Sequence, residues 1–329
     1  MNPPAPAAPT DPAVAAVPAG LQASAAASVA RRPSGAGLGW GLAVAGALGF
    51  SAKAILAKLM YRHGVDAVTV VAWRMLLALP MFLAMAWWGA RGREALSPRD
   101  WRIVAALGFS GYYLASMLDF YGLMYISASL ERLILYLGPT FVMILSVLVL
   151  GQRVTGRQWF AAALSYAGVL IVFGQELGVQ GPQAGLGAAL VLGSALSYSG
   201  YLLASGEVVA RLGSLRLTGL ASTVACALCL LHFAVVRPLE ALLVPAPVMA
   251  MSVLNATLCT VLPVLAVMMA IERIGSTMTS QIGMVGPLST VALGVWLLGE
   301  PFTPSLLAGT VLVLLGVALL ARAPRRTGG

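Results

Sequence analysis

Charge is what this sequence has least of. Only 9% of its 329 residues are charged, against 60% hydrophobic, where an ordinary soluble domain carries about 25% charged residues. That shortage excludes a soluble fold, which would need far more polar surface, and points to helical membrane spans of about 20 residues. The apolar runs do not alternate with polar residues, which excludes β-barrel strands. Histidine is scarcer still: His63 and His232 are the only two, and no H-E-x-x-H occurs, so an intramembrane metal hydrolase finds no ligands. Cys226, Cys229 and Cys259 all fall in apolar runs. The first two make a C-x-x-C without a second ligand pair, so they read as small packing residues, and no metal or cofactor is implied. No phosphate-binding loop is present, so ATP is not the direct driver. Of 20 basic residues only Lys53 and Lys58 are lysine, and both sit in one hydrophobic run.

What is present is ordered along the chain. Residues 1–36 are rich in Ala, Pro and Ser and read as a disordered tail. Ten hydrophobic spans follow, at 38–60, 67–88, 102–124, 128–150, 158–174, 184–205, 216–236, 246–270, 276–298 and 304–322, and 323–329 form a second tail. Their short connections leave no room for a soluble catalytic domain. With the N-terminus inside, fourteen arginines fall in inner segments, and only Arg62 and Arg237 in outer ones. This positive-inside bias predicts a multi-pass inner-membrane protein of bacterial type with both termini cytoplasmic. The net charge of +9 is thus a membrane signature, not a nucleic-acid footprint; lipid is the expected partner.

Shifted by 148 residues, the chain matches itself without gaps. "AGLG" at 36–39 meets "AGLG" at 184–187; Gly138 and Pro139 meet Gly286 and Pro287; Gly151, Thr155 and Gly168 meet Gly299, Thr303 and Gly316. Two five-helix units, 37–174 and 184–322, follow. Because five is odd, the second enters the membrane from the opposite side. An all-α protein of ten transmembrane helices in two inverted repeats points to alternating access around a midplane site.

Three stretches also resemble the EamA-like branch of the drug/metabolite transporter superfamily. They are "AKLMYRHGVDAVTVVAWRMLLALP", "SLERLILYLGPTFVMILSVLVLGQRVT" and "GMVGPLSTVALGVWLLGEPFT". The most specific element is an apolar helix with a central proline ending in L-G-E-x-x-T. The first copy departs from it, with Gln152 where the second has Glu300, and a structural role at a helix end accounts for that carboxylate. The resemblance implies ten helices in two repeats and, most often, export of small molecules.

The chemistry of the two copies differs. Lys53, Arg74, Asp119, Glu131 and Arg132 become Tyr201, Ser222, Val267, Thr279 and Ser280 after the shift. Lys53 lies eight residues before Tyr61, or ~12 Å of helix, too deep to snorkel. Lys58, nearer the end, reaches the interface. Unpaired charge at membrane depth costs at least ~2.5–3.5 kcal/mol, so these groups are expected to face one another or a wet cavity. Lys53–Asp119 is the preferred pair; Glu131 with Arg74 or Arg132 is the second. Helical spacing adds a lining of Gly46, Phe50, Lys53 and Ala57; of Tyr112, Ser116 and Asp119; of Ser194, Tyr198 and Tyr201; and of Thr277, Gln281 and Met284. The alternative for each small polar residue, and for Asn255, is helix–helix hydrogen bonding. Pro139 and Pro287 are hinges or static kinks. Spans 5 and 10, with Gly168 and Gly316, lie at the periphery, where a homodimer contact is one use for them.

The expected function is a secondary active transporter, not an enzyme. It moves a small organic metabolite across the inner membrane by alternating access, as an exporter, with Asp119 and Glu131 as carriers of coupled protons. Three cations against two carboxylates leave one positive charge over, which suits a carboxylate-bearing or zwitterionic substrate. A non-transporting scaffold or sensor, or an intramembrane enzyme, is the alternative.

Overall fold

The computed structural model describes residues 36–151, 154–283 and 286–321. The two tails fall outside these, apart from Ala36, as do Gln152 and Arg153. The side chains of Thr277, Gln281, Met284 and Pro287 are likewise outside the described residues.

The described chain is helical. The first half runs α1 (Ala36–Arg62), α2 (Ala67–Ala90), α3 (Pro98–Leu107), a π-helical stretch (Gly108–Leu114), α4 (Ala115–Leu123), α5 (Ala128–Leu135), α6 (Gly138–Leu150) and α7 (Gly156–Gln180). The second runs α8 (Gln183–Leu212), α9 (Ser214–Val236), α10 (Ala246–Ala256), a π-helical stretch (Thr257–Val261), α11 (Leu262–Ile282), α12 (Gly286–Leu293), a further π turn (Gly294–Leu298) and α13 (Pro304–Ala321). Eight stretches are long and apolar enough to cross a membrane; Ser289–Leu298 and Pro304–Leu320 are shorter apolar helices.

Local chemistry sets the boundaries. Asp66 caps α2 by accepting from the Val68 amide at 3.0 Å. Ser97 with Asp100, and Thr155 with Gln158, form capping boxes that satisfy otherwise orphaned amides. Thr303 Oγ1 accepts from the Leu306 amide at 3.2 Å, opening α13. Gly151 and Gly299 end their helices at φ 63° and 70°, the left-handed region that glycine enters without a Cβ penalty.

The two π stretches occupy corresponding places: 257–261 falls on 109–113 after the 148-residue shift. In the second half, Pro263 lies two residues beyond the stretch and has no amide hydrogen to donate, and Thr260 Oγ1 bonds the Asn255 carbonyl at 2.7 Å.

Packing repeats in the same register. α1 packs along α11 and α4 along α8; α12 packs on α1 and α6 on α8. Each pairing becomes the other when the halves are exchanged. α2 packs on α9, and α7 on α13, so these corresponding helices meet each other directly. A Cβ on Gly168 would lie 2.6 Å from the Gly309 carbonyl oxygen, and one on Gly316 would lie 2.5 Å from that of Ala161. The contacts 168–309 and 161–316 are each other's images under the shift, and they require α7 and α13 to run in opposite directions. Gly89 against Arg216 and Asp66 bonded to Arg237 give the same antiparallel sense for α2 and α9.

Candidate functional site

Between the halves lies a cavity of about 200 Å³. α1 contributes Ala43, Ala47, Phe50 and Lys53, α2 contributes Arg74, and the π stretch with α4 contributes Gly111, Tyr112, Ser116 and Asp119. Arg132, Leu135, Tyr136, Gly138 and Pro139 close one side; Ser194, Tyr198, Ser199, Val264, Val267 and Thr279 come from the second half. On α1 the lining follows Lys53 back through positions 50, 47 and 43. Gly46 is turned away instead, with a would-be Cβ 2.8 Å from Val267 Cγ2, and Ala57 is fully buried in the core. Neither lines the cavity as the spacing suggested: the face that holds Lys53 is one residue out of phase with Gly46.

The intramembrane charges gather at one end. Lys53 Nζ bonds Asp119 Oδ2 directly and lies 3.5 Å from Glu131 Oε1. Arg132 Nε is 4.0 Å from Glu131 Oε2, and its guanidinium donates to the Phe50 carbonyl at 2.6 Å. Lys53 therefore bridges two carboxylates, and Arg132 holds the farther one. Glu131 is completely buried and lies behind Lys53, not on the cavity wall. Arg74 does not pair with it; its Nη2 donates to Ser116 Oγ at 3.1 Å, and its guanidinium stacks on Phe120 with Cζ 4.9 Å from the ring centroid.

Tyr201, the counterpart of Lys53, is also a layer behind the wall. Its hydroxyl meets that of Tyr112 at 2.6 Å and Met268 Sδ at 3.1 Å. Gly111 makes this packing feasible, since a Cβ there would fall 2.3 Å from the Tyr201 ring. Tyr198 stacks on Tyr201 at 5.6 Å and does reach the cavity. Tyr136 was not foreseen: its hydroxyl donates to the Gly283 carbonyl at 2.8 Å and ties the α5–α6 junction to the end of α11. Its spacing one turn beyond Arg132 is the signal in the sequence that points to it. Asn255 is fully buried, with neither amide atom partnered among the described residues.

Pro139 sits at the start of α6, after a two-residue break at Tyr136–Leu137. α12 restarts at Gly286, at the corresponding position.

The L-G-E carboxylate acts across the halves. Glu300 accepts from the backbone amides of Ala128 and Ser129, at 2.7 and 3.1 Å, at the N-terminus of α5. A carboxylate there meets orphaned donors and the positive end of a helix dipole. Gly294 makes the room: a Cβ on it would lie 2.8 Å from Glu300 Oε2. Lys58 lies among Glu300, Glu176 and Arg62, partly buried, and Arg62 bonds the Leu298 carbonyl.

The comparison with known proteins decides the family, since the EamA-like transporter family matches residues 37–174 and 185–322. The chain belongs to the EamA-like transporter family. A curated relative, the uncharacterized transporter YcbK of Bacillus subtilis (strain 168), is 29% identical over 269 residues, covering 78% of this chain and 83% of its own. A solved crystal structure superposes with a TM-score of 0.61 at 19% identity, covering 86% of this chain and 96% of that one; at that identity the likeness speaks to the fold alone. This EamA-like chain is therefore a multi-pass membrane protein of a transporter family.

Proposed function

We propose that this chain is a secondary active transporter that exports a small organic metabolite across the inner membrane by alternating access. The observation that carries the reading is the cavity between two corresponding halves, with one buried ion network at its end. Antiparallel contacts between corresponding helices support an inverted repeat of two five-helix units, an arrangement suited to rocking around a central site.

The direction of the cavity follows from α1. Lining residues extend from Lys53 back to Ala43, toward the N-terminus that the positive-inside bias assigns to the cytoplasm. Beyond Lys53 the helix is sealed: Ala54, Ala57 and Met60 are fully buried, and the Glu300 and Arg62 bonds close that end. This is an inward-facing arrangement with the outer gate shut. Outward opening requires Glu300 to leave the α5 N-terminus, with the break at 136–137 as a hinge.

Proton coupling belongs to the bridged carboxylates. Lys53 holds Asp119 tightly and Glu131 at longer range. A proton arriving on Asp119 removes its charge, loosens that bond and leaves Lys53 to Glu131. Its departure restores the first pairing. Gly168 and Gly316 are taken up by α7–α13 packing within one chain, so a homodimer contact at spans 5 and 10 would use the other faces of these helices.

Proteoliposomes loaded with a mixed extract of small bacterial metabolites test the reading. Mass spectrometry of the exterior, with and without an imposed pH gradient, is expected to find at least one organic metabolite leaving faster than from protein-free vesicles, and faster still with the gradient. Loss no faster than from protein-free vesicles would remove the transport function. Loss without response to the gradient would remove the coupling.

A further inference from the structure

We infer that Arg74 and Ser116 anchor the carboxylate of a monoanionic substrate whose remaining body is apolar, aromatic above all; this rests on the transporter reading. Among the described intramembrane cations, Lys53 and Arg132 already have carboxylate partners. Arg74 has none within ion-pair distance among the described residues. It is only 5% exposed, and its Nε and Nη1 have no acceptor among the described residues. Leaving such donors buried and unmet is expensive, and they belong to a residue on the cavity wall. A guanidinium with one nitrogen on Ser116 and its face on Phe120 is fixed in orientation. Its Nε and Nη1 lie on opposite sides of the guanidinium, so they are two separate charge-assisted donors, either of which can take a carboxylate oxygen, while the Ser116 hydroxyl, accepting from Nη2, keeps its own hydrogen to donate.

Charge sets the valence. Lys53, Arg74 and Arg132 against Asp119 and Glu131 leave one positive charge, and one carboxylate cancels it. A dianion would bring its second charge toward Asp119 and Glu131. An added ammonium would restore the excess beside Lys53.

The rest of the wall sets the body. Phe50, Tyr112, Tyr136 and Tyr198 surround the cavity with Ala, Leu and Val. The Tyr112 hydroxyl is taken by Tyr201 and that of Tyr136 by the Gly283 carbonyl, so these residues offer rings. A volume of about 200 Å³ lies below the ~300–1,000 Å³ of drug-sized pockets, which limits the ligand to a small one.

Binding to the purified full chain in nanodiscs, followed by thermal shift and calorimetry, tests this with 3-phenylpropanoate, hexanoate, 3-phenylpropanamide and phenylalanine. The expected order is 3-phenylpropanoate first, hexanoate weaker, the neutral amide weaker than 3-phenylpropanoate by about ten- to a hundredfold, the cost of losing a charge-assisted contact, and phenylalanine weaker than 3-phenylpropanoate because its ammonium adds a cation beside Lys53. Arg74→Gln is expected to erase the preference for acid over amide, and Arg74→Lys to keep charge but weaken binding. The acid–amide comparison on the unaltered protein needs no variant to fold. Equal binding of amide and acid, preference for phenylalanine, or no binding of either acid would overturn the anchor. The two readings fail separately. Efflux of some other metabolite without acid binding leaves transport standing and removes the anchor; Arg74-dependent binding without any flux does the reverse.

Discussion

The two halves of this molecule share a scaffold and differ in chemistry. α1 meets α11 as α8 meets α4, and both halves carry a π-helical stretch at corresponding positions. Yet Lys53, Asp119, Glu131, Arg74 and Arg132 all belong to the first half, and their counterparts are Tyr201, Val267, Thr279, Ser222 and Ser280. The contrast teaches that duplicated packing can be kept while the site is made one-sided. Backbone approach at glycines constrains the first; a handful of buried charges supplies the second.

The sharpest way to break the contrast is at the ion network. Lys53→Met leaves Asp119 buried without its partner, and removing one member of a buried pair costs about 3–5 kcal/mol. The counterpart change Tyr201→Phe removes only hydroxyl contacts and should cost about 1–2 kcal/mol. Unfolding in a mild detergent compares them, and equal losses would contradict the asymmetry.

Packing should behave oppositely, with equal effects in both halves. Gly168→Leu and Gly316→Leu push side chains into the Gly309 and Ala161 carbonyls and should each destabilise by about 1–3 kcal/mol, in the range for overpacking. Gly174 and Gly185 have open space around them, so alanine at either is the matched control, with little change expected by the same assay.

The inter-half clasp comes next. Glu300→Ala removes the acceptor for the Ala128 and Ser129 amides, and losing a cap costs about 0.5–2 kcal/mol. If that bond closes the proposed outer gate, the variant should label faster with a membrane-impermeant thiol reagent at a cysteine introduced at Met60. An unchanged labelling rate would separate the cap from the gate.

The smallest expected difference between the halves is a symmetry check. Gly151→Ala and Gly299→Ala both force a side chain into the left-handed region, at about 1–2 kcal/mol each. Matching shifts in midpoint are expected from matching geometry.

Much of the fold was legible in the sequence. The apolar runs gave the helices, the capping box at Thr155 and Gln158 forms as its residue types require, and the 148-residue shift anticipated which helices correspond. Helix phase was legible only in part. Gly46 and Lys53 are two turns apart by count, but the cavity follows 43, 47, 50 and 53, because Gly46 is drawn against Val267. The reach of Glu300 was hidden: its motif marked a helix end, but the amides it caps, those of Ala128 and Ser129 in α5, lie 172 and 171 residues earlier in the chain, and no local spacing encodes that. Arg74 could be counted as a spare cation from sequence, but not singled out, since which cations Asp119 and Glu131 hold depends on side-chain geometry.

The central claim is that the Lys53–Asp119 pair serves transport and is dispensable to the scaffold. The double variant Lys53→Met/Asp119→Leu removes both charges together, a change that is often neutral for buried pairs. Metabolite efflux from proteoliposomes carrying it is the most direct test. The account predicts a protein that unfolds near the wild-type midpoint and carries no flux above protein-free vesicles. Efflux at the wild-type rate from that folded double variant would contradict it.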